Sequence, residues 1–334
     1  MSLKGKSNAK RPKKAGTRTY ANKKFNRNSL LQLNLSDLYD RFMAEKRTAG
    51  LSRITLRDYD THYGYLQDFL YETQGVKDLL HAEIISDVFT DYMTWMQARN
   101  LKPTTINVRV RTIRAFLRWC YLEEYIDEPI FRKFKPMKAA EEQVEAFTAE
   151  EVRRILSVID TDTFVGFRDY LIILIIMDTL ARAREIVNIQ RSNIDLKAQE
   201  IGLEADGTKA KKARTLPLSN RTARMLTEYM AESEEFEEET LFVTYDGRPL
   251  NDGTLRKNLS EYGKLVGIDN KRVSPHTFRH TGALFYVMNG GDPFSLMKIL
   301  GHSDLSMVRK YVNMANGDIR RQHDHFSPVK SLFK

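Results

Sequence analysis

The sequence predicts a mainly α-helical chain that carries a small antiparallel β-sheet and folds as two domains. Apolar residues recur at helical spacing from residue 35 to about residue 126, and this periodicity is lost between residues 125 and 145. Further along, short apolar segments separated by a turn are typical of paired strands. A chain of 334 residues also holds roughly two domains of about 100 to 200 residues each.

Residues 1–33 begin with a strongly basic run. Ten Lys and Arg and no acidic residue lie within residues 1–28, so this run accounts for the whole net charge of +9. The rest is rich in Gly, Ser, Asn and Ala, and such a composition cannot bury a core. We expect residues 1–33 to be a disordered basic tail that binds a polyanion by counterion release. A solubilising leader is the alternative interpretation.

Residues 34–126 are predicted to form a domain of four helices. Ser52 is placed to cap one of them, and Pro103 lies where the first turn of another tolerates proline. The last helix carries an apolar stripe, and a polar stripe repeats its spacing one residue later. The apolar stripe is Ile106, Val110, Ile113 and Leu117, and the polar stripe is Asn107, Arg111, Arg114 and Arg118. The polar stripe is either a row of DNA contacts along a phosphate backbone or a set of solvated side chains.

A linker is predicted at residues 127–145, where prolines interrupt a mixture of Lys and Glu. The second domain, residues 146–326, then begins at a capping box formed by Thr148 and Glu151. Its sheet is expected from residues 201–204 and 214–218, with a turn at Asp206 and Gly207, and from residues 241–243. Residues 327–334 complete the chain as a C-terminal tail.

Composition excludes several classes of protein. The single cysteine, Cys120, cannot form an internal disulfide, and this fits a reducing cytoplasm. The longest apolar stretch, residues 170–177, is well short of the roughly 18 residues that a membrane span needs, and it predicts a buried helix. We therefore expect a cytoplasmic protein.

The last third of the chain holds side chains suited to breaking a phosphodiester bond. Cleavage requires a nucleophile, cations that neutralise the phosphate oxygens, and a proton for the departing oxygen. Tyr311 offers a phenol, and Arg279 lies three residues after His276, so both can face one phosphate from a helix. His276 and His280 share the spacing of a zinc helix, but Thr277 stands where metalloproteases have Glu, so a metal site is disfavoured.

This set resembles the tyrosine recombinase (phage-type integrase) family. That family has an early Arg, a hairpin Lys, a His-x-x-Arg helix, a His or Trp, and the nucleophilic Tyr in this order. His302 and Tyr311 match the last two positions, and Arg182 with Glu185 matches the early Arg-x-x-Glu motif. Arg184 is the alternative to Arg182. Leu180 departs from the family pattern, which usually has Gly at this turn of positive φ.

The hairpin lysine matches Lys209 best. It follows the turn and precedes the Arg-x-x-Pro pattern that begins at Arg214. Lys211 and Lys212 remain alternatives, and contact with phosphate is their other interpretation.

The resemblance implies a role for each matched residue. Tyr311 would attack the phosphorus and form a 3′-phosphotyrosine bond, while Arg182 and Arg279 would hold the non-bridging oxygens. His276 would accept the tyrosine proton or hydrogen-bond the phosphate, and His302 would hydrogen-bond a phosphate oxygen. The remaining two are Lys209 as the general acid and Glu185 as a support behind the arginines.

The resemblance covers roughly residues 36–325 and implies a helical core-binding domain joined to an α+β catalytic domain. It predicts a site-specific DNA recombinase, an integrase or resolvase, that acts on double-stranded DNA as a homotetramer on two sites. No cofactor is implied, and the protein would be associated with the nucleoid. A type IB topoisomerase-like relaxase and a non-cleaving DNA-binding protein are the alternative functions.

Overall fold

The computed structural model describes residues 33–139, 145–203, 213–301 and 305–315, together with His323, Ser327 and Val329. These residues divide into two compact units, and the division falls between residues 141 and 142. Each unit has its own hydrophobic core. Among the described residues, every helix is too short or too polar to cross a membrane.

Within the described residues, four α-helices build the first unit, as the sequence predicts. Asn34 and Asp37 form a capping box at the first helix, and the Ser52 side chain accepts the Thr55 backbone N–H at the second. Aromatic and aliphatic side chains from all four helices form the core. The helices are α1 (Leu35–Thr48), α2 (Arg53–Gln74), α3 (Ser86–Ala98) and α4 (Pro103–Leu122), with 3₁₀ turns at His81–Glu83 and Ile130–Arg132.

The first unit extends beyond residue 126, where the predicted domain ended. Ile130 and Phe134 are buried in the first core, and a 3₁₀ turn runs through Ile130–Arg132. The side chain of Asn107 then holds Met137, because its Nδ2 donates to the Met137 carbonyl at 2.9 Å and its Oδ1 accepts the Met137 N–H at 2.7 Å. The predicted linker 127–145 therefore begins as packed structure, in which irregular backbone carries buried apolar side chains.

The second unit contains eight α-helices and a three-stranded sheet within the described residues. The helices are α5 (Ala149–Ser157), α6 (Phe164–Thr179), α7 (Ala183–Val187), α8 (Asn220–Glu232), α9 (Asp252–Leu265), α10 (Pro275–Met288), α11 (Pro293–Leu300) and α12 (Ser306–Ala315). The strands are β1 (Ile194–Asp195), β2 (Glu200–Leu203) and β3 (Arg214–Pro217). The sheet is antiparallel in the order β1-β2-β3, with Ile201 opposite Leu216.

The third strand of the sheet differs from the sequence prediction. Residues 241–243 are buried but form no strand of this sheet; an isolated bridge joins Val243 to Pro249 instead. The third strand is β1, which is two residues long and pairs Ile194 with Ile201. A segment this short has no alternation of polar and apolar residues, so the sequence carries no pattern for it.

Helix α6 is the centre of the second unit. Its apolar stretch is a buried helix, as predicted, and the side chains of Leu171, Ile172 and Ile175 are inaccessible to solvent. Helix α10 packs against α6 on one side and against α12 on another. A small separate cluster surrounds Tyr311 and includes Leu180, Ala283, Leu296, Leu300 and Val308. Of the predicted site residues, His276 and Arg279 lie on α10, Tyr311 lies on α12, and Arg182 lies at the start of α7.

Candidate active site

The turn between α6 and α7 places the first arginine of the site. Leu180 ends α6 in the left-handed region, with φ 52° and ψ 28°. The chain then reverses, and Arg182 lies at the N-terminal cap of α7. The positive φ expected from the family pattern is therefore present, although the residue is leucine.

Glu185 joins two arginines. The Arg182 Nη1 donates to Glu185 Oε1 at 2.9 Å, and the Arg182 backbone N–H donates to Oε2 at 2.8 Å. From strand β3, Arg214 Nη2 donates to Glu185 Oε2 at 2.7 Å. Burial of the carboxylate opposes its ionisation, but these hydrogen bonds outweigh burial and hold the pKa of Glu185 below its ordinary value. Glu185 is thus a charged anchor that orients Arg182.

Arg214 is a member of this cluster that the sequence analysis did not assign to the site. Besides its two bonds to Glu185, it donates from Nε to the Ile299 carbonyl at 3.2 Å. It therefore ties strand β3 to α7 and to the end of α11. The Arg-x-x-Pro pattern was the available signal, but it shows only that the residue lies on a strand.

Arg279 is the buried cation of the site, with only 3% of its surface exposed. Its Nη2 donates to the Leu300 carbonyl at 2.9 Å, and its Nη1 donates to the Leu180 carbonyl. Burial and the nearby charge of Arg182 lower the pKa of Arg279 to about 10, so the guanidinium remains charged at neutral pH. The two carbonyls fix its plane beside the turn that carries Arg182.

Tyr311 bonds to a histidine that was not assigned to the site. The phenolic oxygen lies in a hydrogen bond with His280 Nδ1, and the Nε2 of His280 lies 2.7 Å from the Nε2 of His276. Burial raises the pKa of Tyr311 to about 12, and the charge of Arg279 opposes this rise. His280 is itself buried, whereas His276 is exposed. The sequence signal was the spacing of four residues between the two histidines, which we considered only as a zinc pattern.

Five of the predicted site residues come together in this way: Arg182, Glu185, His276, Arg279 and Tyr311. Lys209 and His302, with the alternatives Lys211 and Lys212, lie outside the described residues. Arg184, the alternative to Arg182, is exposed and faces Asp252 with 4.0 Å between Nε and Oδ2. Within the described ranges, no group of three or more His, Cys, Asp or Glu side chains is arranged to hold a metal ion.

The polar stripe on α4 separates into two kinds of residue. Arg111 and Arg118 are exposed and Arg114 is half-buried, as a surface row requires. Asn107 departs from the prediction of a DNA contact, because its side chain is 5% exposed and both of its amide atoms bond to Met137. Its role in this structure is to close the first unit.

Two family models match the chain. The model described as "Phage integrase family" matches residues 145–317, and the model described as "Phage integrase SAM-like domain" matches residues 34–136. The tyrosine recombinase XerC of Staphylococcus carnosus is 25% identical over 287 residues, which is 83% of this chain and 92% of the relative. The tyrosine recombinase XerD of Listeria innocua is 24% identical, and the match covers 88% of this chain and 99% of that relative.

Solved structures share the fold at low sequence identity. A lambda integrase dimer bound to a COC′ core site has a TM-score of 0.70 at 17% identity, covering 87% of this chain and 80% of that one. The Tn1549 transposon integrase in complex with transposon right end DNA has a TM-score of 0.68 at 18% identity, covering 88% of this chain and 99% of that one. The model described as "Phage integrase family" alone spans more than half of the sequence. The chain therefore belongs to the phage integrase family of tyrosine recombinases, which are site-specific DNA recombination enzymes.

Proposed function

We propose that this protein cuts and rejoins double-stranded DNA at specific sites through a 3′-phosphotyrosine intermediate on Tyr311. The observation that carries the proposal is the convergence of one phenol, two arginines and two imidazoles in a single cluster. A phosphodiester in this cluster would meet a nucleophile and fixed cations that stabilise the charge developing on its oxygens. Neither a metal ion nor ATP takes part in this scheme.

The proposed reaction has two balanced steps. The hydroxyl of Tyr311 gives its proton to the histidines of the cluster as its oxygen attacks phosphorus. The bond to the 5′-oxygen breaks, and that oxygen takes a proton from Lys209. Arg182 and Arg279 hold the non-bridging oxygens, and His302 donates a hydrogen bond to one of them. A 5′-hydroxyl from a second strand then reverses the step, because the phosphotyrosine bond conserves the energy of the original linkage.

Tyr311 has to become accessible before it can react. Only 1% of its surface is exposed, so a phosphate cannot reach the hydroxyl in the structure described. DNA binding would therefore have to open the packing around the phenol while its hydrogen bond to His280 is kept. We extend the proposal to a homotetramer on two DNA sites, to the exposed arginines of α4 as phosphate contacts, and to a nucleoid-associated enzyme in the cytoplasm.

A trapping experiment tests the proposal. The protein is incubated with fragmented DNA, and adducts that survive denaturation with detergent are isolated and sequenced. We expect an adduct with a free 5′-hydroxyl end, and we expect Tyr311→Phe to abolish it. Tyr286→Phe is the matched control, because Tyr286 packs against the same cluster outside the hydrogen-bonded chain.

Three further outcomes would redirect the assignment. An adduct that persists in Tyr311→Phe would refute the nucleophile. The trapped site is then placed on two labelled duplexes and on one supercoiled circle. Exchange between the duplexes supports a recombinase, whereas relaxation of the circle without exchange indicates a topoisomerase-like enzyme. DNA binding without any adduct would indicate a binding protein on the same scaffold.

A further inference from the structure

A continuous chain of hydrogen bonds leads from the buried phenol to the protein surface. Tyr311 bonds to Nδ1 of His280, and Nε2 of His280 faces Nε2 of His276 at 2.7 Å. The two imidazole rings meet edge to face, with their centroids 4.1 Å apart and their planes at 75°. Tyr311 is 1% exposed and His280 is 8% exposed, while His276 is exposed. The direct neighbour of the nucleophile is therefore His280.

The donor and acceptor pattern of imidazole allows two directions for this chain. A neutral imidazole donates from one ring nitrogen and accepts at the other. If the phenol donates to Nδ1 of His280, then Nε2–H of His280 donates to His276. If the protons run the opposite way, His276 donates to His280, and His280 donates to the phenolic oxygen. The second arrangement, with His276 cationic and the tyrosine anionic, is what the first becomes after one proton moves along each bond.

We propose that His280 takes the proton of Tyr311 during DNA cleavage and passes its own Nε2 proton to His276, which becomes the cation. The O–H bond of Tyr311 and the Nε2–H bond of His280 break, while Nδ1–H forms on His280 and Nε2–H forms on His276. Religation runs the same transfers in reverse when the tyrosinate leaves phosphorus. This inference rests on the proposed function and assigns the proton path within it.

The charges around His276 suit a terminal acceptor that acts only with DNA bound. Although the residue is exposed, its imidazole ring is partly withdrawn from water against His280, and this loss of hydration is the largest cause that holds the pKa of His276 below its ordinary value. The positive charges nearby lower the pKa further, and they belong to Arg279, Arg182, Arg272 and Arg256. His276 is therefore neutral at pH 7 and has a free capacity for a proton. A phosphodiester bound between these arginines offsets their charge, and this makes protonation of His276 easier at the moment of attack.

Conservative substitutions separate proton transfer from positioning. Asparagine at 280 keeps an acceptor oxygen near the position of Nδ1, and glutamine at 276 keeps one near Nε2, but neither amide can carry the proton onward. His280→Asn, His276→Gln and the double variant are compared with wild type. His323→Asn is the matched control, because His323 is exposed and no chemistry is assigned to it.

The measurement is the single-turnover rate of adduct formation on a nicked duplex built from the trapped site. We expect His280→Asn to lower this rate about 100-fold at pH 7, in the range of general base catalysis, and to recover as pH rises. The double variant should cost no more than the more damaging single variant, because both residues serve one proton path. A 5′-bridging phosphorothiolate, which leaves without an acid, should not restore the rate.

Each contrary outcome points elsewhere. A rate for His280→Asn within a few-fold of wild type at every pH would reduce His280 to a positioning residue and overturn the proposal. Multiplicative losses in the double variant would assign the two histidines to separate tasks. Restoration by the phosphorothiolate would place the defect in the leaving group. If wild type itself forms no adduct, the failure belongs to the proposed function and not to the proton path.

Discussion

The left-handed turn at Leu180 provides a sharp test of the structure. At this position a glycine variant should be more stable than an alanine variant, whereas in a helix interior alanine is the more stable of the two. Leu180 has φ 52°, its carbonyl accepts a bond from Arg279, and its side chain lies in the cluster around Tyr311. A Cβ built on Gly282 of α10 would lie 2.6 Å from Leu180 Cδ2. The side chain of Leu180 therefore packs directly on the backbone of α10.

The expected magnitudes follow from two opposing effects. Truncating a buried leucine to alanine costs about 2 to 5 kcal/mol, and the strained backbone of Leu180→Ala remains. A non-glycine residue in the left-handed region costs roughly 1 to 2 kcal/mol, and glycine removes this strain. We expect Leu180→Gly to be about 1 kcal/mol more stable than Leu180→Ala. In an exposed helix interior the order is reversed by about the same amount.

Urea unfolding of both variants measures this difference. Far-UV circular dichroism follows the helices of the whole chain, whereas tryptophan fluorescence reports the first unit alone, because both tryptophans, Trp95 and Trp119, lie there. The urea midpoint measured by fluorescence should stay unchanged, while the transition of the second unit, followed by circular dichroism, shifts. An alanine variant as stable as the glycine variant, or a fluorescence midpoint that moves with the mutation, would refute the reasoning.

Four other variants give distinct results. Arg168→Met should lower the free energy of unfolding by about 3 to 5 kcal/mol, because Arg168 is 1% exposed and bonds to Asp169 and the Val243 carbonyl. Circular dichroism measures this loss. The pKa of Glu185 is lower in the folded state than in the unfolded state. The charged carboxylate therefore stabilises the fold above the unfolded pKa, and this contribution is lost as pH falls through the folded pKa. Glu185→Gln should lower the free energy of unfolding by about 2 kcal/mol at pH 7 and by progressively less below pH about 4. Asn107→Ala should lower the urea midpoint measured by tryptophan fluorescence without changing the salt dependence of DNA binding. The double variant Arg111→Ala with Arg118→Ala should instead reduce the slope of log affinity against log salt concentration by about 2. An unchanged slope for that pair would remove these arginines from the DNA contact.

Local patterns predicted most of the helices because each helix carries its own signal. The cap at Ser52, the capping box at Thr148, the proline at 103 and the apolar periodicity all act within a few residues. The end of the first unit was misplaced because Ile130 and Phe134 are buried beyond the end of the last α-helix, at a short 3₁₀ turn. Burial in irregular backbone depends on distant side chains such as Asn107, and no local spacing records it.

The sequence predicts those parts of the candidate site whose residues lie close together in the chain. It predicts less well the contacts that form when helices distant in the chain pack together. Arg182, Glu185, His276 and Arg279 lie in short motifs on α7 and α10, and their spacing alone brings each pair to one face. The contact between His280 and Tyr311 joins α10 to α12, which are 31 residues apart at these positions. Only the packing of those helices selects His280 over His276 as the neighbour of the phenol.

Under the proposed function, the electrostatics of the cluster would keep Tyr311 inert until DNA binds. With a pKa of about 12, ionising Tyr311 at pH 7 costs about 7 kcal/mol, and a neutral His276 held below its ordinary pKa does not accept the proton spontaneously. The same arginines that lower the basicity of His276 are the groups that a phosphodiester would neutralise. Under this proposal, substrate binding would raise the basicity of His276 and expose Tyr311 to phosphorus in one event, so cleavage would depend on a phosphate seated between Arg182 and Arg279.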